Sequence, residues 1–168
     1  MPPLLIALGA KIKLLSASGE RSLLLSEFYT GDGAKPLSIG LGEVLVSVEV
    51  PSIPKGAFGA YFKYRIRRSI DFPLASLAAL FIVDGGEKVC LEARVVIGAV
   101  GPKPEEVRGV GELLRGKRVT RSLIEEAKEL GFRAARPIAN VGSSPTYRRR
   151  IIKLFLEKAL KQGLGESV

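Results

Sequence analysis

An α+β fold is what the order of patterns along this chain predicts, with strands gathered early and helices late. Three observations carry that expectation. Residues 44–50 alternate so that Val44, Val46, Val48 and Val50 share one face of an extended segment. The apolar run 76–83 turns through Asp84 and Gly85 into a second long run, 88–100, which predicts an antiparallel pairing. From Pro104 onward, the helix start and stop signals recur and strand signals cease.

In the first fifty residues, segments 11–15 and 21–25 flank Ser18 and Gly19, a turn pair that predicts a hairpin. The glycine-bearing stretch 30–36 follows as a connector. Its Gly31 and Gly33 match neither the dinucleotide nor the P-loop spacing. In strand 44–50, Leu45, Ser47 and Glu49 are expected on the polar face. Leu45 is thus an apolar residue out of place, covering either a neighbouring loop or a ligand. Pro51 and Pro54 end this strand and mark the expected boundary between two lobes.

The second lobe is expected to open with a strand over 57–68, then the two paired runs, giving an antiparallel sheet of about three strands. Three helices should cover it. Pro104 suits a first helical position, followed by a stripe of Val107, Val110 and Leu114. Thr120 is placed to cap a second helix whose Leu123, Ile124, Ala127 and Leu130 face inward, with Gly131 as its stop. Ser144 and Pro145 open a third helix, with Tyr147, Ile151, Leu154 and Phe155 as its apolar face and Gly163 as its end.

Composition narrows function. The 168 residues contain no histidine and one cysteine, which excludes a Ser-His-Asp triad, a His-based zinc or haem site and a four-thiolate iron–sulfur cluster. Cys90 sits in an apolar run and reads as a small buried hydrophobe. No Gly-x-Ser-x-Gly element supports a hydrolase. No apolar run reaches the roughly 18 residues of a membrane span, and the first residues lack the basic flank of a signal peptide. A cytoplasmic protein is expected. The net charge of +9 raises the question of nucleic acid. Its main sources, 63–68, 115–118 and 148–150, form no recognised nucleic-acid motif, and aromatic residues make up only 7%. A basic, non-catalytic interaction module, RNA-binding in its sharpest form, is the alternative that charge supports. The abundance of Lys, Arg and Glu with single Met and Cys suits a thermophile.

Four stretches taken together resemble the FAD-binding (medium, flavoprotein) subunit of the carbon monoxide dehydrogenase and xanthine dehydrogenase group of molybdenum hydroxylases. They are 3–14 (PLLIALGAKIKL) with Phe28, Tyr29, Thr30 and Gly31; 41–51 (LGEVLVSVEVP); 61–71 (YFKYRIRRSID); and 142–149 (GSSPTYRR). The resemblance implies that residues 1–55 finish an FAD-binding domain and 56–165 form the C-terminal α+β domain. It implies FAD as cofactor, with the molybdenum cofactor and [2Fe–2S] clusters on partner subunits, and electrons passing from molybdenum through iron–sulfur to flavin. Carried over by motif, Leu45 and Lys63 would contact the flavin region, and Arg67, Arg68 and Asp71 would form a charged segment near it. A lysine beside a pyrophosphate or a reduced flavin is chemically sensible. The family's two glycine-rich FAD loops and a cofactor-binding aspartate have no match here. The expectation is therefore a site too incomplete to hold FAD tightly alone, with the iron–sulfur and molybdenum subunits as partners and a separate polypeptide supplying the rest of the FAD-binding half.

Overall fold

The computed structural model describes residues 1–67, 70–85, 89–140 and 142–164. Two sheets organise the chain. The first is three-stranded, in the order β2-β1-β3, from β1 (Lys11–Ser16), β2 (Gly19–Leu24) and β3 (Val44–Glu49). The second is antiparallel. Its long strands are β4 (Ala57–Tyr64), β5 (Ala75–Val83) and β6 (Val89–Gly98), with β5 central. Two short strands, β7 (Glu105–Glu106) and β8 (Lys117–Arg118), pair with β6.

Among the described residues the helices are α1 (Pro2–Ala7), α2 (Leu25–Phe28), α3 (Arg108–Leu114), α4 (Arg121–Ala134) and α5 (Pro145–Leu164). The second sheet lies between them. Phe81, Leu77, Val95 and Ile97 face α3, α4 and α5 in the larger core. Ala78 and Val96, on its other face, meet Ile6, Ala7, Ile12, Leu14 and Phe28 in a smaller one. The first lobe therefore builds its core partly on the back of the second sheet, through α1. Gly98 makes that contact possible, since a Cβ there would stand 2.7 Å from Pro3 Cγ.

Several local expectations need correction. The first turns hold two helices as well as strands; the proline pair at Pro2 and Pro3 starts α1, where missing N–H groups cost nothing. Pro104 does not open a helix. Glu105 and Glu106 first pair with Ile97 and Val96, and α3 begins only at Arg108. Thr120 caps α4 as expected, its side chain accepting from Leu123 N at 3.3 Å. Gly131, however, does not stop that helix. It lies inside α4 where α5 crosses, and an added Cβ would sit 2.2 Å from Leu156 Cδ1. Gly163, one residue before the described end of α5, falls where the helix end is expected and also packs against Phe58 and Phe81. The buried face of α5 is Arg148, Ile152, Phe155, Leu156, Ala159 and Leu160, so Tyr147 and Leu154 stand outside it. Of the turn at 84–86, Gly86 lies outside the described residues. Asp84 N still bonds the Val89 carbonyl at 2.9 Å and closes the hairpin.

Strict alternation also fails in β3. Ser47 pairs Lys13, but Leu45 pairs Leu14, leaving Val46 as an extra residue in a bulge. Partners across an antiparallel ladder share a face. Leu45 and Val48 therefore both lie on the side of Leu14 and Ile12, not on opposite faces.

Candidate functional site

The second sheet turns Gly59, Tyr61 and Lys63 of β4 away from the helix layer, by period two from Phe58, Phe62 and Tyr64, which pack into the larger core. On that outer face runs a cleft of about 400 Å³ between β4 and α1. Leu4, Ala7 and Leu8 form one wall, Ile53 closes an end, and Gly59, Tyr61 and Leu80 line the sheet side. Lys63 stands exposed just beyond Tyr61, near the start of α1. The Met1 ammonium is held below its ordinary value by burial first and by the charge of Lys63 second. Cation and apolar cleft are thus neighbours.

Past β4, the described residues 65–67 and 70–74 belong to a loop closed at its base by Leu74 N donating to the Tyr64 carbonyl at 2.8 Å. Within it, the Asp71 carboxylate accepts from Arg67 N and Arg67 Nη2, both at 3.0 Å, and from Phe72 N at 3.0 Å. The Arg67 guanidinium, then the backbone donors, hold Asp71 down to about 2. The pair locks the loop as a short turn and leaves Ile70 and Phe72 facing solvent, Phe72 at 88% exposure.

Of the five sequence-derived site residues, Arg67 and Asp71 are brought into direct contact, and Lys63 leads into their loop. Leu45 lies apart from these, on β3 of the first sheet, 39% exposed opposite Leu14. Arg68 lies outside the described residues. Sequence reasoning did not single out Tyr61, Gly59 or α1. The alternation of β4 was a signal for the first two, and the proline pair for the third.

The glycine-bearing segment 30–36 spends its Thr30, Asp32 and Ala34 amides on acceptors of its own. Thr30 Oγ1 accepts from Asp32 N at 3.0 Å and donates to the Lys35 carbonyl, while Asp32 Oδ1 accepts from Ala34 N at 2.8 Å. Lys103 pins its root through the Tyr29 carbonyl at 3.2 Å. The basic run 148–150 is not a phosphate surface either. Arg148 is 5% exposed, and Arg149 Nε is spent on the Ala135 carbonyl at 2.9 Å. The run therefore does not present the row of contiguous exposed cations that phosphate binding needs. Among the described residues no group of His, Cys, Asp or Glu could hold a metal ion. Cys90 is buried, which pushes its thiol up to about 11, out of the nucleophilic range. No helix of the described residues is long and apolar enough to cross a membrane.

An antiparallel sheet between helices, with an apolar cleft and an exposed lysine on its outer face, is the class of module that the fold defines. Known proteins make the class specific. Residues 60–162 match the family model of the CO dehydrogenase flavoprotein C-terminal domain, and residues 1–53 match that of the FAD binding domain in molybdopterin dehydrogenase. The chain belongs to the FAD-binding (flavoprotein) subunit family of the molybdenum hydroxylases. It is 30% identical over 162 residues to the glyceraldehyde dehydrogenase medium chain of Sulfolobus acidocaldarius, covering 96% of this chain and 56% of that one. Among solved structures, reconstituted CO dehydrogenase from Oligotropha carboxidovorans superposes with a TM-score of 0.87 at 25% identity, over 99% of this chain and 57% of that chain. Quinoline 2-oxidoreductase from Pseudomonas putida 86 gives 0.84 at 29% identity, over 98% and 55%. The chain thus spans little more than half the length of these relatives.

Proposed function

We propose that this chain forms one wall of an FAD site in the electron-transfer subunit of a molybdenum hydroxylase. The observation that carries the reading is the apolar cleft beside α1 with Lys63 at its mouth. A flavin ring is accommodated by apolar surface, and a cation nearby stabilises an anionic phosphate or a reduced ring. Lys63 is the residue assigned to the cofactor. Arg67 and Asp71 shape the adjoining loop, and Arg68, in the same segment, belongs to this set by its motif. Leu45 is assigned to the flavin side of the first lobe. The division of labour falls between residues 1–55, an FAD-domain portion, and 56–165, the C-terminal domain.

The partners in this reading are an iron–sulfur subunit and a molybdenum subunit, with electrons arriving from molybdenum through [2Fe–2S] clusters, in the cytoplasm. A separate polypeptide carrying the remainder of the FAD-binding fold would close against β3. Two features support that cover: the second edge of β3 is unpaired in the first sheet, and Leu41, Val44, Val46, Val48, Val50 and Ile53 are all exposed. Because the Thr30, Asp32 and Ala34 amides of loop 30–36 are spent within the loop, and its glycines fit no phosphate-binding spacing, we assign the pyrophosphate cradle elsewhere. Weak FAD binding is expected.

An FAD titration followed by flavin fluorescence, with Lys63→Ala beside the parent, tests the reading. The expected result is saturable, weak binding that Lys63→Ala weakens by about tenfold, the loss of one charge-assisted contact. Equal binding by both proteins would remove Lys63 from the site. Near-stoichiometric flavin on the purified chain would show that the missing loops are dispensable.

A further inference from the structure

We infer that Arg148 is a positioning residue that sets the flavin-side loop 65–74 from the helix layer. It is the most buried charged residue among those described, at 5% exposure, and its guanidinium bonds to neutral oxygens. Nε donates to the Leu74 carbonyl at 2.7 Å. Nη1 reaches the Ile138 carbonyl at 3.3 Å and Asn140 Oδ1 at 2.9 Å. Nη2 donates to the carbonyl of Ala99. One side chain thereby ties together three segments remote in sequence: the end of the loop, the turn after β6 and the link between α4 and α5. Only a planar fork with five donors spans such a set; a lysine presents its donors from a single point.

The grip bears on the loop in particular. Leu74 is bonded twice, through its N–H to Tyr64 and through its carbonyl to Arg148, so both strands at the loop's neck are held. Two further contacts couple the same pieces. Gly142, at φ +108°, lies so close that a Cβ would stand 3.1 Å from Ile66 Cδ1 and 3.6 Å from Leu74 Cδ2. The Tyr147 ring meets Tyr64 edge-on at 5.7 Å. Ala99, whose carbonyl Arg148 holds, is the one non-glycine residue at positive φ among the described residues, at 61°. The first turn of α5 and the loop carrying Arg67 and Asp71 therefore move as one unit. The assignment to flavin binding rests on the reading of that loop given above; the coupling itself does not.

The test is made on the full chain without FAD. The chain has no tryptophan, so Phe72→Trp places a unique reporter on the loop. Arg148→Lys and Arg148→Met are then compared in that background, by tryptophan anisotropy well below the melting temperature and by hydrogen exchange. Both are expected to lower the anisotropy and to speed exchange across 65–74 by about tenfold, with β5 and β6 keeping parental protection. Lysine restores charge but not the fork, so its failure to rescue the loop separates positioning from mere charge burial. Parental anisotropy and loop protection in Arg148→Lys would overturn the inference, as would an equal loss of protection throughout the sheet. Arg148→Lys, which keeps the charge and most of the volume, carries the test should Arg148→Met not fold. Because FAD is absent, a failed flavin titration leaves this result standing, and a failure here leaves the titration interpretable.

Discussion

Strands β3 and β5 have nearly the same chemistry and opposite fates. Each is a short run dominated by Val, Leu, Ala or Ile. In β5, residues 75–81 are buried without a break, with β4 and β6 on its flanks, α5 on one face and α1 on the other. In β3 the apolar side chains are exposed, for it is an edge strand of its sheet and no helix packs closely on it among the described residues. Apolar content thus states what a strand requires, and topology decides whether these residues meet the requirement. The unmet demand at β3 is why we assign its cover to the remainder of the FAD-binding fold.

The contrast can be broken most sharply in β5. Phe81→Ala removes a fully buried ring from the larger core and is expected to cost about 3–5 kcal/mol in urea unfolding. A loss below 1 kcal/mol, about the size of an ordinary surface effect, would mean that β5 is not the central strand of a closed core.

A smaller loss probes the helix layer that closes β5. Gly131→Ala forces a methyl group onto Leu156 where α4 crosses α5, and about 1–3 kcal/mol of destabilisation is expected in a thermal melt. The opposite result, a gain from higher helix propensity, would show that the crossing is looser than its geometry states.

In the first lobe, the approach to β3 is held by Arg21, which binds Glu43 at 2.5 and 2.7 Å and the Ser38 carbonyl at 2.9 Å. Arg21, then the Gly40 N–H, hold the Glu43 carboxyl down to about 2 from 4.5. The folded value lies below the unfolded one, so this contribution is complete above about 4.5 and is lost as pH falls through about 2. Glu43→Gln should flatten the acid limb of the melting-temperature profile in that window while shifting neutral pH values little, since the partner arginine is exposed. An unchanged acid limb would remove the pair as an anchor of β3.

The smallest effect is expected at β3 itself. Val46→Ser in the bulge should alter stability by less than about 0.5 kcal/mol, because the side chain is 48% exposed and lies outside both cores. A cost near that of a core valine would mean that this face is already covered in solution, and sedimentation of the parent chain would then reveal the partner copy.

Much of the architecture was legible in advance because local rules dominate where they are strong. The hairpin of β1 and β2, the three long strands of the second sheet and the Thr120 cap follow from period-two patterning and from an unsatisfied helix terminus. The site was only partly legible. Lys63, Arg67 and Asp71 stand in a recognisable segment, and the last two do pair. Tyr61 and Gly59 went unnoticed, because a cleft wall is defined by what faces it, and here that is α1 from the other end of the fold.

By itself the sequence determined the class of fold, the absence of histidine- and thiolate-based chemistry, and membership in a flavoprotein family. Each depends on residue type and near-neighbour spacing, which the chain carries explicitly. Tertiary structure alone decided that Gly131 and Gly163 sit at packing contacts of their helices, and that Leu45 shares a face with Val48. It also turned Arg148 from a member of a basic run into a buried clamp. The physical reason is common to all four. A glycine, a bulge or a guanidinium takes its role from atoms brought to it by remote segments, and those contacts exist only once the sheets and helices have packed.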